Sequence, residues 1–352
     1  MEREYKSPIA MRKDHLTCPL ALALESYWAC EADCFHCMGR RLNQIWGTEQ
    51  RVTDPEAVKK TLLNALKNNN PRTIVAQALH AKKAFFLGRK ADPYQPIELD
   101  KQVTRRLLQI LIELNWPVVI CSRYQENMER DEDFFLEKNV HILTEITCGA
   151  EADWELFERK RTTPIEDRLQ FTKVWQKRGI KVGVRGEPYI PGYHTLKQFK
   201  DILKRLKSYG LKSYNIYNLH INEYTIKKLY AIGLDIERIW TLNQDEHWSK
   251  LQKRLCTIAD EIGIVLGCPD FVNTGWGNVQ QTNTCCGINV TNALEFNTHE
   301  WKRGIQIVDF TPQEVLKETW EGIGTDEDYK KGKQILSSKK RKDFYTINDI
   351  VD

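Results

Sequence analysis

The sequence predicts an α/β fold, a partial (β/α)6 barrel of the TIM type with a C-terminal extension. Strand-like apolar runs alternate with helix-like stretches over much of the chain, which is the order expected of repeated βα units. The length of 352 residues suits one barrel with an appendage, and a hydrophobic content of 41% can supply a sizeable core.

The first predicted strand, Pro19 to Tyr27, runs into a cysteine-rich loop. A helix is predicted to start at Asp54 and Pro55, because Asp is a favoured N-cap and proline suits the first helical turn. Another helix is predicted over residues 100–114. Further strands are predicted at 83–87, 118–121, 139–147, 181–185 and 213–219. We expect residues 1–225 to form the barrel and residues 226–352 to form an extension that covers the barrel mouth.

Composition and charge indicate an enzyme of the cytoplasm rather than a membrane or secreted protein. No apolar run approaches the ~20 residues that span a bilayer, and Met1 to Glu4 lacks the apolar core of a signal peptide. The ten cysteines are therefore expected to be reduced thiols. The net charge of +4 is too small to indicate a polyanionic partner by itself.

Three cysteines, Cys30, Cys34 and Cys37, are spaced four and then three positions apart after the first predicted strand. In barrels of this kind the chemistry lies at the carboxyl ends of the strands, where this loop falls. Three thiolates can hold three irons of a 4Fe-4S cluster and leave the fourth iron open. A structural zinc site would need a fourth protein ligand, for which His36 is the nearest candidate.

With its flanking residues, this spacing resembles the motif of the radical S-adenosylmethionine (SAM) superfamily. The resemblance implies that the open iron binds SAM and that an electron from the cluster cleaves it to methionine and a 5′-deoxyadenosyl radical. That radical takes hydrogen from an unreactive C–H bond. His36 departs from the family pattern, in which the residue before the third cysteine is commonly aromatic and carbocyclic.

Two later segments resemble the spore photoproduct lyase-like subfamily. Gly88 to Glu98 contains the sequence DPYQPIE, as in the segment after that subfamily's second strand, and Val184 to Gly192 ends in Pro-x-Ile-Pro-Gly. Ile120–Arg123, followed by the Arg130-Asp131 pair, is a looser match to the subfamily's strand that ends in Thr-Lys-Ser before an Arg-Asp pair. The resemblance covers approximately residues 18–220.

Several polar residues near the predicted strand ends are candidates for binding SAM. Arg123 is the best-placed cation for the SAM carboxylate, because its planar fork can bind a carboxylate bidentately. The other candidate cofactor-binding residues are His36, Ser122, Glu145, Thr147, Arg185 and Glu187. Charged residues at strand ends are also common as solvated termini or ion pairs.

Four further residues are candidates for contact with substrate or for hydrogen donation. Asp92 and Tyr94 either bind substrate or shape a rigid loop, since Pro93 and Pro96 restrict the backbone. Cys121 and Cys148 lie at strand ends, where either could be the hydrogen donor that the subfamily resemblance implies. Each is equally explained as a small buried apolar residue.

The C-terminal third carries a second cysteine group and an amide-rich loop. Cys268, Cys285 and Cys286 are a possible second metal site, although loop packing explains them as well. Trp276, among several Asn and Gln residues, is a candidate for stacking on a nucleobase. The basic run from Lys339 to Lys342 suits phosphate contacts or plain solvated surface.

The function predicted from these features is radical SAM chemistry of lyase or isomerase type on a thymine-derived nucleobase. The base would belong to DNA or a nucleotide, and the outcome would be modification, rearrangement or repair. The expected partners are that substrate and an external reductant such as flavodoxin or ferredoxin, with no membrane partner. One alternative is a peptide-modifying radical SAM enzyme with an auxiliary cluster. The other is a zinc-stabilised nucleic-acid-binding protein.

Overall fold

The structure is a computed structural model that describes residues 3–11, 20, 22–37, 49–219, 221, 223–243 and 245–267. The possible second metal site of Cys268, Cys285 and Cys286 lies outside these residues. So do Trp276, its amide-rich loop and the basic run near the C-terminus.

Ten strands are described, and most are short. They are β1 Arg3–Glu4, β2 Ile9–Met11, β3 Leu22–Leu24, β4 Arg51–Val52, β5 Phe85–Leu87, β6 Val118–Ser122, β7 Val140–Glu145, β8 Val182–Tyr189, β9 Ser213–Asn218 and β10 Val265–Gly267.

Twelve α-helices are described, most of them between consecutive strands. They are α1 Pro55–Lys67, α2 Ile74–His80, α3 Ile97–Lys101, α4 Val103–Glu113, α5 Gln125–Met128, α6 Glu132–Phe135, α7 Glu151–Leu156, α8 Ile165–Lys177, α9 Leu196–Ser208, α10 Glu223–Ala231, α11 Ile236–Leu242 and α12 Asp245–Ile262. Helix α1 begins as the sequence predicts, because the side chain of Asp54 accepts a hydrogen bond from Glu56 N at 2.9 Å.

Eight strands form one sheet in the order β10-β9-β8-β7-β6-β5-β3-β2, while β1 and β4 pair separately. Every neighbouring pair in the large sheet is parallel except β2 with β3. All six predicted strands are present as β3 and β5 to β9, so the predicted partial α/β barrel is confirmed. The sequence did not indicate the antiparallel edge strand β2 or the seventh parallel strand β10.

The barrel sheet continues past residue 225. Strand β10 pairs with β9, and helix α12 packs into the same core as α9. A division of the chain into a barrel and a separate extension at that residue stays a prediction.

Alternation along the strands separates a helix-facing side from an interior side. Leu22, Phe85, Val118 and Ile142 belong to the same buried cluster as Leu107 of α4, so they face the helices. The alternate residues along each of these strands point the other way, into the interior of the barrel. No helix in the described part of the chain is long and apolar enough to cross a membrane.

Gly88 ends β5 with a backbone that only glycine adopts easily. Its φ is +101°, and a Cβ there would lie 2.3 Å from the carbonyl oxygen of Cys121 and 2.9 Å from Cδ of Pro93. The loop after β5 therefore lies directly against the end of β6.

Candidate active site

The three cysteines of the motif lie together in the loop after β3, at the carboxyl ends of the parallel strands. Cys34 is buried, and Cys30 and Cys37 are partly buried. Cys37 N donates to Cys34 O at 3.1 Å, which makes a tight turn between them. Burial, followed by the charges of Asp92 and Cys37, raises the pKa of Cys30 to about 12, and burial also raises the pKa of Cys34. Metal binding at these thiols would release protons.

Two glutamine side chains clamp this cysteine loop to its neighbours. Gln95 accepts from Glu31 N at 2.8 Å and donates to Ala29 O at 2.9 Å. Gln50 accepts from Ala29 N at 2.8 Å and donates back to Ala29 O at 3.1 Å. The backbone on both sides of Cys30 is therefore fixed by neutral amide contacts.

The far end of the cysteine loop rests on the segment after α7. Phe35 N donates to Phe157 O at 2.9 Å, and Asp33 forms an ion pair with Arg159. The guanidinium of Arg159 also lies 5.1 Å from the centre of the Phe35 ring. The loop is thus held at both of its ends.

Asp92 brackets the cysteine loop and the end of β6. Its backbone N donates to Cys30 Sγ at 3.4 Å, and its carboxylate accepts from Ser122 Oγ at 2.7 Å and Arg123 N at 2.7 Å. Burial raises its pKa to about 6 despite these hydrogen bonds. Tyr94 is buried and donates to Asp131 at 3.0 Å. Asp92, Tyr94 and Ser122 thus shape this loop, and their contact with substrate or cofactor stays a prediction.

Glu25 lies directly after β3, and its carboxylate accepts from the backbone N of Lys90 at 3.1 and 3.2 Å. Its side chain is buried. Burial raises the pKa of Glu25 to about 7, although Lys90 and Arg89 act in the opposite direction. This carboxyl therefore sits near the boundary between its neutral and charged forms at physiological pH.

A layer of charged side chains crosses the interior on β6, β7 and β8. Glu145 pairs in register with Arg185, and Arg123 is the residue after the end of β6. Arg123 forms an ion pair with Glu145 and lies 3.2 Å from Glu158. Arg185 pairs with Glu187 and lies 3.6 Å from Glu145. The structure thus brings together the predicted residues Arg123, Glu145, Arg185 and Glu187.

Behind this layer lies a fully buried ion pair between Arg168 and Glu158. Arg168 also donates to the carbonyl oxygens of Thr163 and Glu145, each at 2.7 Å. Burial alone would raise the pKa of Glu158, but the charges of Arg168 and Arg123 outweigh it and hold that pKa at about 2. Glu158 is therefore a permanent anion beside Arg123.

His36 contacts the charged layer from the cysteine loop. Its Nε2 lies 3.4 Å from a guanidinium nitrogen of Arg123, and its ring meets Phe157 edge to face at 5.6 Å. Burial and the nearby Arg123 lower its pKa to about 3, so the imidazole is neutral. Its predicted role toward the cofactor stays a prediction.

The two candidate hydrogen donors lie on different sides of the sheet. Cys121 is 3.9 Å from a guanidinium nitrogen of Arg185, in the interior. Cys148 belongs to the cluster that packs against α9 and α12, on the helix-facing side. Burial raises the pKa of both thiols. Thr147, a predicted cofactor-binding residue, is buried next to Cys148.

A histidine and an aspartate that the sequence did not single out lock the loop after β8. His194 Nδ1 accepts from Ile190 N at 2.9 Å, so its Nε2 carries the hydrogen that it shares with Asp153 at 2.8 Å. This pair closes the Pro191-Gly192 turn. Within the sequence, only the Ile-Pro-Gly turn signal marked this position.

The cysteine loop suits an iron-sulfur cluster by the chemistry of its donors. Three thiols sit in one loop, close enough to affect one another's pKa. Among the described residues, no group of three or more His, Cys, Asp or Glu side chains is arranged to hold a single metal ion. Three thiolates are the protein ligands that a 4Fe-4S cluster with one open iron requires, and Cys30, Cys34 and Cys37 are the residues that would hold it.

No family model matches this sequence, and no curated protein matches it. Solved structures do match the fold. A mutant of spore photoproduct lyase in which one cysteine is replaced by serine matches with a TM-score of 0.57 and 13% identity. The match covers 76% of this chain and 80% of the lyase chain. A mutant of the same lyase with bound AdoMet and dinucleoside spore photoproduct has a TM-score of 0.54 and 11% identity over the same shares.

The chain is also similar to Streptococcus suis SuiB bound to S-adenosylmethionine, with a TM-score of 0.49 and 12% identity. That match covers 73% of this chain and 51% of SuiB, so the chain spans about half the length of SuiB. At these identities the comparisons establish the fold. It is the fold of spore photoproduct lyase, whose subfamily the sequence motifs resemble.

Proposed function

We propose that this protein is a radical SAM enzyme acting on a thymine-derived nucleobase in DNA or a nucleotide. The observation that carries the proposal is the position of Cys30, Cys34 and Cys37 in one largely buried loop beside the interior layer that contains Arg123. When bound, a 4Fe-4S cluster and SAM would supply one-electron cleavage of SAM and a 5′-deoxyadenosyl radical that takes hydrogen from the substrate.

The chain's own part is to hold and orient these groups. Arg123 lies close enough to Cys34 for its charge to act on the pKa of that thiol. Its counterions are Glu145 and Glu158. A SAM carboxylate would replace one of these anions on the guanidinium, which suits a bidentate contact. Arg185, Glu145 and Glu187 remain as partners for the amino and ribose groups of SAM.

Of the two candidate donors, Cys121 is better placed to return hydrogen to a product radical. Its thiol lies in the interior beside Arg185, whereas Cys148 packs among apolar side chains on the helix side. Burial keeps the Cys121 thiol protonated, and an S–H group is what hydrogen-atom transfer requires.

The nucleobase substrate is supported by the DPYQPIE and Pro-x-Ile-Pro-Gly segments and by the fold shared with a lyase that binds a dinucleoside. A base taken from a duplex would have to leave its stack to reach a buried interior. A flavodoxin or ferredoxin is the proposed source of the electron. Identifying the substrate would show whether the reaction is modification, rearrangement or repair of the base.

The cluster assignment is tested with Cys34→Ala after anaerobic reconstitution and reduction. We expect release of 5′-deoxyadenosine from SAM to fall at least a hundredfold, since the cluster loses one of three thiolates. Cys256→Ala, which removes a buried thiol from α12, is the matched control and should retain wild-type release. Normal release by Cys34→Ala would contradict the assignment.

The substrate class is tested by deuterium transfer between labelled SAM and candidate substrates. Transfer involving thymidine-containing dinucleotides or modified DNA is the expected result. Label found in peptides and never in nucleosides or oligonucleotides would retain the radical chemistry and contradict the nucleobase substrate.

A further inference from the structure

Asn215, on β9, is buried inside the barrel with its amide unused. It is 2% exposed, and neither its side-chain oxygen nor its nitrogen has a hydrogen-bond partner among the described residues. Buried amides are nearly always paired, because leaving donor and acceptor unsatisfied is costly. Such an amide leaves one donor and one acceptor open to a ligand wherever a ligand can reach it.

The direction of this side chain follows from its neighbours along the strand. Tyr214 and Ile216 belong to the cluster that packs on α9, and the Tyr214 ring lies 6.2 Å from that of Phe199. Because side chains alternate along a strand, Asn215 faces the interior. Tyr217, two residues on, lies on the same side.

The register places Asn215 in the same layer as the candidate cofactor-binding residues. It pairs with Arg185 on β8, which pairs in turn with Glu145 on β7. Arg185 is engaged with Glu187 and Glu145 and stacks over Phe86 at 5.3 Å. On the other side, Asn215 pairs with Gly267 of β10, which has no side chain to cover it.

We propose that Asn215 binds the hydrogen-bonding edge of a heteroaromatic base held in the barrel interior. Its amide offers one acceptor and one donor side by side, which matches an edge that carries a donor next to an acceptor. Two bases present such an edge, the thymine-type imide of the substrate and the adenine of SAM. The substrate source rests on the proposed function, whereas the adenine source does not.

The test is equilibrium binding to the full, anaerobically reconstituted chain. The probes are S-adenosylhomocysteine, which carries adenine, and the dinucleotide thymidylyl-thymidine, with its N3-methylated form as an edge-blocked analogue. Asn215→Leu keeps a similar volume and removes both polar atoms. Gln252→Leu is the matched control, because Gln252 of α12 is also buried with both amide atoms unpartnered among the described residues.

We expect Asn215→Leu to weaken one probe at least tenfold, while Gln252→Leu leaves both affinities within twofold of wild type. Loss for the dinucleotide, together with loss of discrimination against its N3-methylated form, assigns the substrate base. Loss for S-adenosylhomocysteine assigns adenine.

Unchanged affinity for both probes overturns the inference. Loss of both affinities together with loss of iron also overturns it, because Asn215 would then be structural. If the wild-type chain binds no dinucleotide, the nucleobase substrate is contradicted, and S-adenosylhomocysteine alone decides Asn215: a tenfold loss supports the inference, and unchanged affinity overturns it.

Discussion

The start of the cysteine loop, from Ala29 to Glu31, and the charged layer beside the loop are held by different kinds of contact. Gln95 and Gln50 fix the loop through neutral amide hydrogen bonds to its backbone. Across the interior, Arg123, Glu145 and Arg185 are fixed by ion pairs with one another and with Glu158. One region therefore has a fixed position, and the other has charges whose partners a ligand can exchange.

Two buried carboxyls show what this difference does. Beside the cysteine loop, burial raises the pKa of Glu25 to about 7. Behind the charged layer, Arg168 and Arg123 overcome burial and hold the pKa of Glu158 at about 2. The degree of burial is similar, so the neighbouring cations decide which carboxyl is charged.

The largest expected effect on stability comes from removing Arg168, which lies behind the charged layer. Arg168→Met leaves Glu158 buried with one cation fewer, so the free energy of unfolding should fall by about 3 to 5 kcal/mol. Denaturant unfolding followed by circular dichroism measures it. Arg205→Met, which removes ion pairs to the exposed Glu151 and Glu166, should cost about 1 kcal/mol or less. Equal losses for the two variants would remove the contrast between the regions.

The next prediction concerns the pH dependence of stability, because Glu25 and Glu158 lose or gain a proton in different pH ranges. Because the folded-state pKa of Glu25 lies above its ordinary value of 4.5, its contribution to stability is present below pH 4.5 and is lost as pH rises through 7. Glu25→Gln cannot lose a proton, so the variant should gain on wild type by on the order of 1 to 3 kcal/mol between pH 5 and pH 8.

Glu158→Gln is the opposite case and completes that experiment. The folded-state pKa of Glu158 is depressed, so its contribution is present above pH 4.5 and is lost as pH falls toward 2. The stability deficit of this variant should shrink only over that acid range. Stability differences that do not change with pH would show that these two carboxyls do not titrate as described.

Arg123→Ala should weaken SAM binding while leaving the iron content of the reconstituted protein intact. A lost bidentate, charge-assisted pair is worth about 1.5 to 3 kcal/mol, or tenfold or more in affinity. Isothermal titration with SAM gives the affinity, and Arg123→Lys should recover part of it. Unchanged SAM affinity would assign the carboxylate to another residue.

The smallest expected effect concerns the neutral region. Gln95→Leu removes two hydrogen bonds to the cysteine loop, which should lower the free energy of unfolding by about 1 to 2 kcal/mol and slow iron incorporation. Gln50→Leu is the variant for comparison with Gln95→Leu, because it removes two hydrogen bonds that are both made to the backbone of Ala29. Wild-type iron incorporation by Gln95→Leu would show that the loop does not depend on this clamp.

The strands and the cysteine loop could be predicted because their signals are local. Strand-like runs of four to nine residues marked all six predicted strands, and the cysteine spacing marked the loop. Strands β2 and β10 were missed because each has three residues, too few to show a period. The equally short β3 and β5 lie within the longer predicted strands at 19–27 and 83–87.

The contacts that hold the site could not be predicted because their partners are far apart in sequence. Gln95 and Glu31 are 64 residues apart, and His194 and Asp153 are 41 apart. A partial signal existed for Arg168. It lies next to Leu169 and seven positions before Trp175, on the buried side of α8, where a cation requires a counterion.

Gly88 has a consequence for anyone who would move this loop to another protein. The segment from Asp92 to Gln95 contacts the cysteine loop and the end of β6, and the backbone of Gly88 before it lies too close to Cys121 and Pro93 to leave room for a Cβ. One added methyl group would push these partners apart by about an ångström, the scale at which hydrogen bonds fail. A graft of the DPYQ segment must therefore carry its preceding glycine, four positions upstream of Asp92, to keep these contacts.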